Sequence, residues 1–200
     1  FKQSDFSSHF TVASHDHKRA PRVASDFLAW QATIPDGRPY FAFLNFWDAH
    51  APYRAPSEYL SAVRGAEGTV VDRYHASIRY VDHEVGVMLG ELARRGALDN
   101  TIVVITSDHG EQFGEHGLTL HSNSLYRQLL HVPLLVVYPR GVPAGVRVTA
   151  PVSLRDLPAT ALALVGVARD STGIEGRSLA PLWSGGAAPA SEVVSEVSRH

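Results

Sequence analysis

The chain contains no cysteine. That excludes a disulfide framework, a thiolate-bound metal and a thiol nucleophile within these residues. Charge is also scarce: Asp, Glu, Lys and Arg make up 19% of the chain, below the roughly 25% of an average soluble domain. Eighteen Lys and Arg stand against 20 Asp and Glu, a net charge of −2. The basic footprint of a nucleic-acid binder is therefore missing. Long apolar runs are absent too. The greasiest stretch, Leu129 to Tyr138, is broken by His131 and Pro133, well short of the ~18 residues of a membrane span. The chain opens on Phe1 with neither a basic segment nor an apolar core resembling a signal peptide. We expect it to be a piece of a longer protein, and no compartment is assigned.

What is present is enough apolar sequence for one core, 44% of 200 residues, and 11 histidines, several of them beside acids. Residues 1–21 are polar, lack a period and read as a loop. Pro21 opens a short helix with Val23, Phe27, Leu28 and Trp30 on its apolar face. After the Pro35-Asp36-Gly37 turn, Tyr40 to Trp47 is nearly all apolar and predicts a strand buried on both faces. Tyr74, Ile78, Val81, Val85, Met88 and Leu92 step by threes and fours, which predicts a helix over 70–95 closed by Gly96. Thr101 to Thr106 and Pro133 to Tyr138 predict two further buried strands, and Asp156 to Val167 another helix. Alternating strands and helices argue for an α/β fold with a mainly parallel sheet flanked by helices. The main domain is expected over 22–184. Residues 185–200 read as a linker and the start of a further strand.

In such a sheet, ligands bind beyond the carboxyl ends of the strands. Two predicted strands end in acid–histidine clusters: Asp48 with His50, and Asp108 with His109. Adjacent strand residues point to opposite faces, but Gly110 frees the backbone to bring carboxylate and imidazole onto one ion. Such an oxygen and nitrogen pair suits Zn²⁺ or Mn²⁺ better than Ca²⁺. The plain alternative is that Asp108 caps a helix starting near Glu111 and His109 is merely exposed. His121 either folds back over the same site, to supply a proton or positive charge, or lies on the surface. His116 is a substrate contact or nothing, and His131 is structural. Asp82 reads as a half-buried hydrogen-bonding acid, His75 and His83 as solvated helix residues. Arg127 and Arg155 bind an anion or, more commonly for such residues, form exposed salt bridges.

Six segments in fixed order then resemble the sulfatase family of the alkaline phosphatase superfamily. They are Trp47 to Tyr53, Tyr74 to Gly86, Asp99 to Glu111, Gly114 to Gly117 with Ser124 to Tyr126, His131 to Leu135, and Pro151 to Thr160 with Gly176 to Leu179. The likeness covers roughly residues 22–200. It implies an alkaline phosphatase-like fold, of which this chain would be the carboxy-terminal part. It implies that Asp108 and His109 hold a divalent cation: Mn²⁺, Zn²⁺ or Ca²⁺. Many relatives carry Asn where this chain has His109, which leans toward Mn²⁺ or Zn²⁺. It further implies that His50 contacts the transferred sulfuryl or phosphoryl group. His121 stands where many members have a lysine doing similar work. The family's nucleophile, a formylglycine or a Ser/Thr, and two more metal-binding aspartates belong to an amino-terminal half outside this sequence. The substrates implied are small-molecule or glycan sulfate or phosphate esters. A phosphoryl-transfer relative (phosphodiesterase, phosphonate monoester hydrolase or phosphomutase) and an inactive remnant are the alternatives. By itself the chain is expected to turn over neither ester.

Overall fold

A computed structural model describes residues 17–63, 68–167, 173–185 and 193–197. The chain divides into two compact units, residues 1–92 and 93–200.

In the first unit, α1 spans Ala20–Gln31 with a proline in its first turn, as its sequence predicts. It buries Ala20, Ala24 and Phe27, steps of four and three that place them on one helical face. The run 40–47 that follows is extended but carries no strand pairing. Its exposure alternates: Phe41 and Phe43 are 84% and 82% exposed, while the even-numbered residues from 40 to 46 are half-buried. The expectation of a strand buried on both faces is thus corrected. One face meets α1, where Tyr40 sits edge-on to Trp30, and the other faces outward.

After α2 (Ser57–Val63) comes α3 (Val70–Arg94). Thr69 and Asp72 cap α3 reciprocally: the Thr69 amide donates to Asp72 Oδ2 at 2.8 Å, and the Asp72 amide to Thr69 Oγ1 at 3.2 Å. The helix ends at Gly96 in the left-handed region (φ 68°), as read from the sequence. Its buried line is rotated from the predicted stripe, running through Ala76, Ser77, Tyr80, Met88 and Leu92, while Ile78 is exposed. Small side chains at 76 and 77 permit close packing that hydropathy alone does not reveal.

In the second unit, β1 (Val103–Thr106) pairs with β4 (Leu134–Val137). The pairing is antiparallel, from Val103 opposite Val137 to Thr106 opposite Leu134. A short ladder of β2 (Gln112–Phe113) with β3 (Thr119–Leu120) is antiparallel as well. Among the described residues both pairings are antiparallel, and they do not show the parallel part of the expected sheet. Of the predicted strands, those at 101–106 and 133–138 are present as β1 and β4, and they pair with one another across a single excursion, residues 107–133. β1 and β4 are also more open than predicted, with Val104, Leu135 and Val137 exposed.

The helix α4 (Arg127–Leu130) lies within that excursion. α5 (Leu157–Leu164) and α6 (Ala180–Trp183) follow β4. Asp156 Oδ1 accepts the Arg177 amide at 2.9 Å, and Thr160 Oγ1 accepts the Leu179 amide at 2.9 Å. These bonds tie the late motifs together as structure rather than as site. Residues 193–197 form no strand, and most of the expected linker lies outside the described residues.

Candidate functional site

The excursion between β1 and β4 is closed at its base by Thr106 Oγ1, which donates to the Pro133 carbonyl at 2.8 Å. A second clamp is the Gly110 amide donating to the Leu129 carbonyl at 2.8 Å. Gly110 is needed here for approach. A Cβ at this position would lie 1.9 Å from the Gln128 carbonyl oxygen, where no side chain fits.

That tight turn decides how Asp108 and His109 are presented. The His109 amide donates to Asp108 Oδ1 at 3.1 Å, and Ser107 Oγ donates to the His109 carbonyl at 2.6 Å. Asp108 Oδ2 then lies 3.7 Å from His109 Nε2, so the two side chains converge as Gly110 led us to expect. His109 Nδ1 lies 2.7 Å from the Gly110 carbonyl. A carbonyl only accepts, so Nδ1 carries the hydrogen and Nε2 the lone pair. Oδ2 and Nε2 are an oxygen and a nitrogen that one divalent cation, with ligand distances of about 2.0–2.5 Å, can bridge. Pinning the distal ring nitrogen on a backbone oxygen is the usual support for a metal-binding histidine. The donor pair fits a cation. No group of three or more His, Asp or Glu side chains poised for a metal occurs among the described residues.

His121 does fold back, and its ring stacks on that of His109 with centroids 4.1 Å apart and planes at 26°. Its Nδ1 lies 2.9 Å from Glu111 Oε1, and the Glu111 side chain is 5% exposed. Leu120 and Ser122, on either side of His121, both adopt φ 64°. Left-handed backbone at non-glycine residues costs on the order of 1 kcal/mol or more each and clusters at functional sites. Sequence reasoning passed over Glu111, whose available signal was its place directly after Asp108-His109-Gly110.

His116, at φ 56°, stacks on Tyr126 with centroids 3.7 Å apart, and both are exposed. His131 caps the end of α4. Arg155 pairs with Glu175 in an exposed bridge. Asp82 is exposed rather than half-buried, which corrects its reading as a buried hydrogen-bonding acid: the rotated face of α3 turns it to solvent.

In the first unit, His50 stacks on Trp47 (4.1 Å, 20°), whose ring also meets His17 at 4.4 Å. His50 Nδ1 is 2.9 Å from the Ala51 carbonyl, so this histidine too carries its hydrogen on Nδ1. Asp48 plays a different part from the one its neighbourhood suggested. Its carboxylate is 1% exposed and lies 2.9 Å from Arg19 Nε. Burial pushes its pKa up, against the pull of Arg19 and of the Ala20 and Asp48 amides. Asp48 is an internal anchor for the start of α1.

Residues 6–167 match the family described as Sulfatase. The chain is 35% identical over 151 residues to arylsulfatase K of Danio rerio, covering 71% of this chain and 27% of that protein. It thus spans about a quarter of that relative. A solved structure described as being in complex with its substrate D-glucosamine-2-N,6-O-disulfate superposes with a TM-score of 0.52 at 34% identity. That match covers 62% of this chain and 27% of the other. The phosphonate monoester hydrolase of Agrobacterium radiobacter superposes with a TM-score of 0.68 at 24% identity, covering 84% and 42%. At that identity the likeness concerns the fold alone.

Proposed function

Because this chain belongs to the sulfatase family, we propose that it forms one side of the active site of a metal-dependent sulfuric ester hydrolase. The observation that carries this reading is the convergence of Asp108 Oδ2, His109 Nε2 and the His121 ring at the end of one strand. Asp108 and His109 would hold the divalent cation. When bound, it supplies positive charge to the oxygens of the ester. Two ligands are fewer than the three or more protein ligands of a catalytic metal, so the rest of the shell comes from outside the described residues.

The chain's own groups do the following. His121, with Nδ1 held by Glu111, meets the substrate through Nε2 and protonates the departing oxygen. The likeness to the family is what assigns His50 a contact to an oxygen of the sulfuryl group; within its own unit its Nδ1 is held by the Ala51 carbonyl and its face lies against Trp47. No nucleophile is assigned within this chain. The substrate class is a small-molecule or glycan sulfate ester, in keeping with the disulfated glucosamine named for one structural relative.

The test is an assay of the complete protein with an aryl sulfate and a bis-aryl phosphate, adding Mn²⁺, Zn²⁺ and Ca²⁺ in turn. Cation-dependent sulfate release that His109→Ala abolishes is the expected result. Turnover of the phosphate diester alone would transfer the reading to phosphoryl transfer. Turnover of neither ester with any cation would overturn it.

A further inference from the structure

We infer that Glu111 is a positioning residue for His121: its carboxylate fixes the tautomer and the direction of that ring. Three observations converge on this. The Glu111 side chain is almost fully buried, at 5% exposure, although no local helix or cap requires an acid there. Its Oε1 lies 2.9 Å from His121 Nδ1. A carboxylate oxygen accepts hydrogen bonds, so this contact calls for a hydrogen on Nδ1. Then the backbone on both sides of His121 is held at φ 64°, conformations that persist only where surrounding contacts over-determine them. This bend brings the ring to the Glu111 carboxylate, and the His109 ring closes the other side of the imidazole.

The consequence is chemical. A histidine that is free to exchange tautomers presents either a lone pair or an N–H at a given nitrogen. With Nδ1 turned to Glu111, Nε2 is the nitrogen left to face the substrate, and it is presented at one fixed place. Glu111 touches neither substrate nor cation in this scheme. It acts through His121, in the same way that His50 and His109 are each directed by a backbone carbonyl. The carboxylate occupies at His121 the role that the Ala51 and Gly110 carbonyls occupy at the other two rings. This inference rests on the reading of His121 as the proton-transferring group, and the experiment below separates the two.

The test uses the complete protein labelled with ¹⁵N-histidine. Long-range ¹H–¹⁵N spectra are recorded across a pH series, and His121 is assigned by its loss in His121→Ala. In the parent, His121 Nδ1 should resonate as a protonated nitrogen. In Glu111→Gln, whose amide can donate as well as accept, the Nδ1 signal should shift toward the unprotonated position. With an aryl sulfate, kcat should fall about 10-fold or more while KM changes little. Glu111→Asp, which keeps the carboxylate, should retain the parent tautomer and recover part of kcat, and it serves as well if Glu111→Gln does not fold. An unprotonated Nδ1 in the parent would overturn the proposal, as would an unchanged tautomer and kcat in Glu111→Gln. If the tautomer shifts as expected while His121→Ala turns over normally, Glu111 still positions the ring. The assignment of His121 to catalysis is then what fails.

Discussion

The rings of His109 and His121 stack 4.1 Å apart and belong to residues twelve positions apart in the chain. Their contact places a group that would hold a cation against a group that would move a proton. Shared position does not mean shared function, and substitution should tell them apart. His109→Ala removes one of two ligands, so cation affinity and sulfatase turnover should fall together. His121→Ala leaves Asp108 and His109 in place. Turnover should drop by about 10²–10⁴-fold, the usual cost of a lost proton-transfer group, with cation affinity retained. Calorimetric titration alongside steady-state assays checks both. Equal loss of affinity in the two variants would mean that His121 is itself a ligand.

Glycine substitutions should act in opposite directions according to what surrounds them. At Gly110 a methyl group would collide with the Gln128 carbonyl, and backbone cannot move aside as a flexible side chain can. Gly110→Ala should therefore cost at least about 2 kcal/mol and loosen the clamp on which the site turn depends. Gly86 lies on an exposed face of α3 with nothing near its missing Cβ. Gly86→Ala should stabilise by about 0.5–1 kcal/mol through helix propensity. Urea midpoints of the two variants are the measurement.

The site was more legible in the sequence than the sheet was. Asp108, His109 and Gly110 announce a turn because an acid and an imidazole precede the one residue type that tolerates such close approach. The helix α3 is equally plain from its period and from Gly96. Strand partners are another matter. Tyr40–Trp47 and Val103–Thr106 have the apolar density of strands buried within a parallel sheet, yet apolar density says nothing about which neighbour hydrogen-bonds to which. Among the described residues the first has no strand partner, and the second pairs with β4 in antiparallel register. Asp48 misled for a related reason. An acid two residues before His50 looks like half of a site, and only its burial against Arg19 shows it to be an anchor.

That anchor carries a pH dependence with a definite sign. Burial raises the Asp48 pKa in the folded state, so its neutral form is the one the fold favours. The penalty of burying the charge is absent below the unfolded value of about 3.9. It grows as pH rises through the higher folded value, and is complete above it. Arg19 offsets part of that penalty. Arg19→Ala should cost about 1–3 kcal/mol near neutral pH, less than a fully buried pair, because Arg19 keeps about half its side chain in water. The cost should shrink as pH falls toward the unfolded value. A residual loss at acid pH is expected, since Arg19 also donates to the Arg54 carbonyl and lies over the Tyr80 ring. Asp48→Asn should flatten the dependence. Chemical denaturation of the three proteins at about pH 3 and pH 7 gives the answer, and a loss in Arg19→Ala that does not change with pH would count against it.

The final prediction concerns what these 200 residues can do alone. Asp108 and His109 provide two donors, and the described residues hold no group of three or more His, Asp or Glu side chains placed to bind a metal. Catalytic metal sites ordinarily take three or more ligands from the protein, and each missing ligand leaves a position that water fills at little gain. The chain by itself should therefore bind Mn²⁺ or Zn²⁺ weakly. His109→Ala should weaken that binding further, because the remaining carboxylate of Asp108 is 88% exposed and competes poorly with water. Hydrolysis should be undetectable with aryl sulfate and bis-aryl phosphate alike, since the described residues offer neither a full shell nor an assigned nucleophile. A cation titration and an ester assay on the purified chain test both halves of the statement. Cation-dependent turnover by the chain alone, lost in His109→Ala, would show that the remaining ligands and the nucleophile lie within it after all.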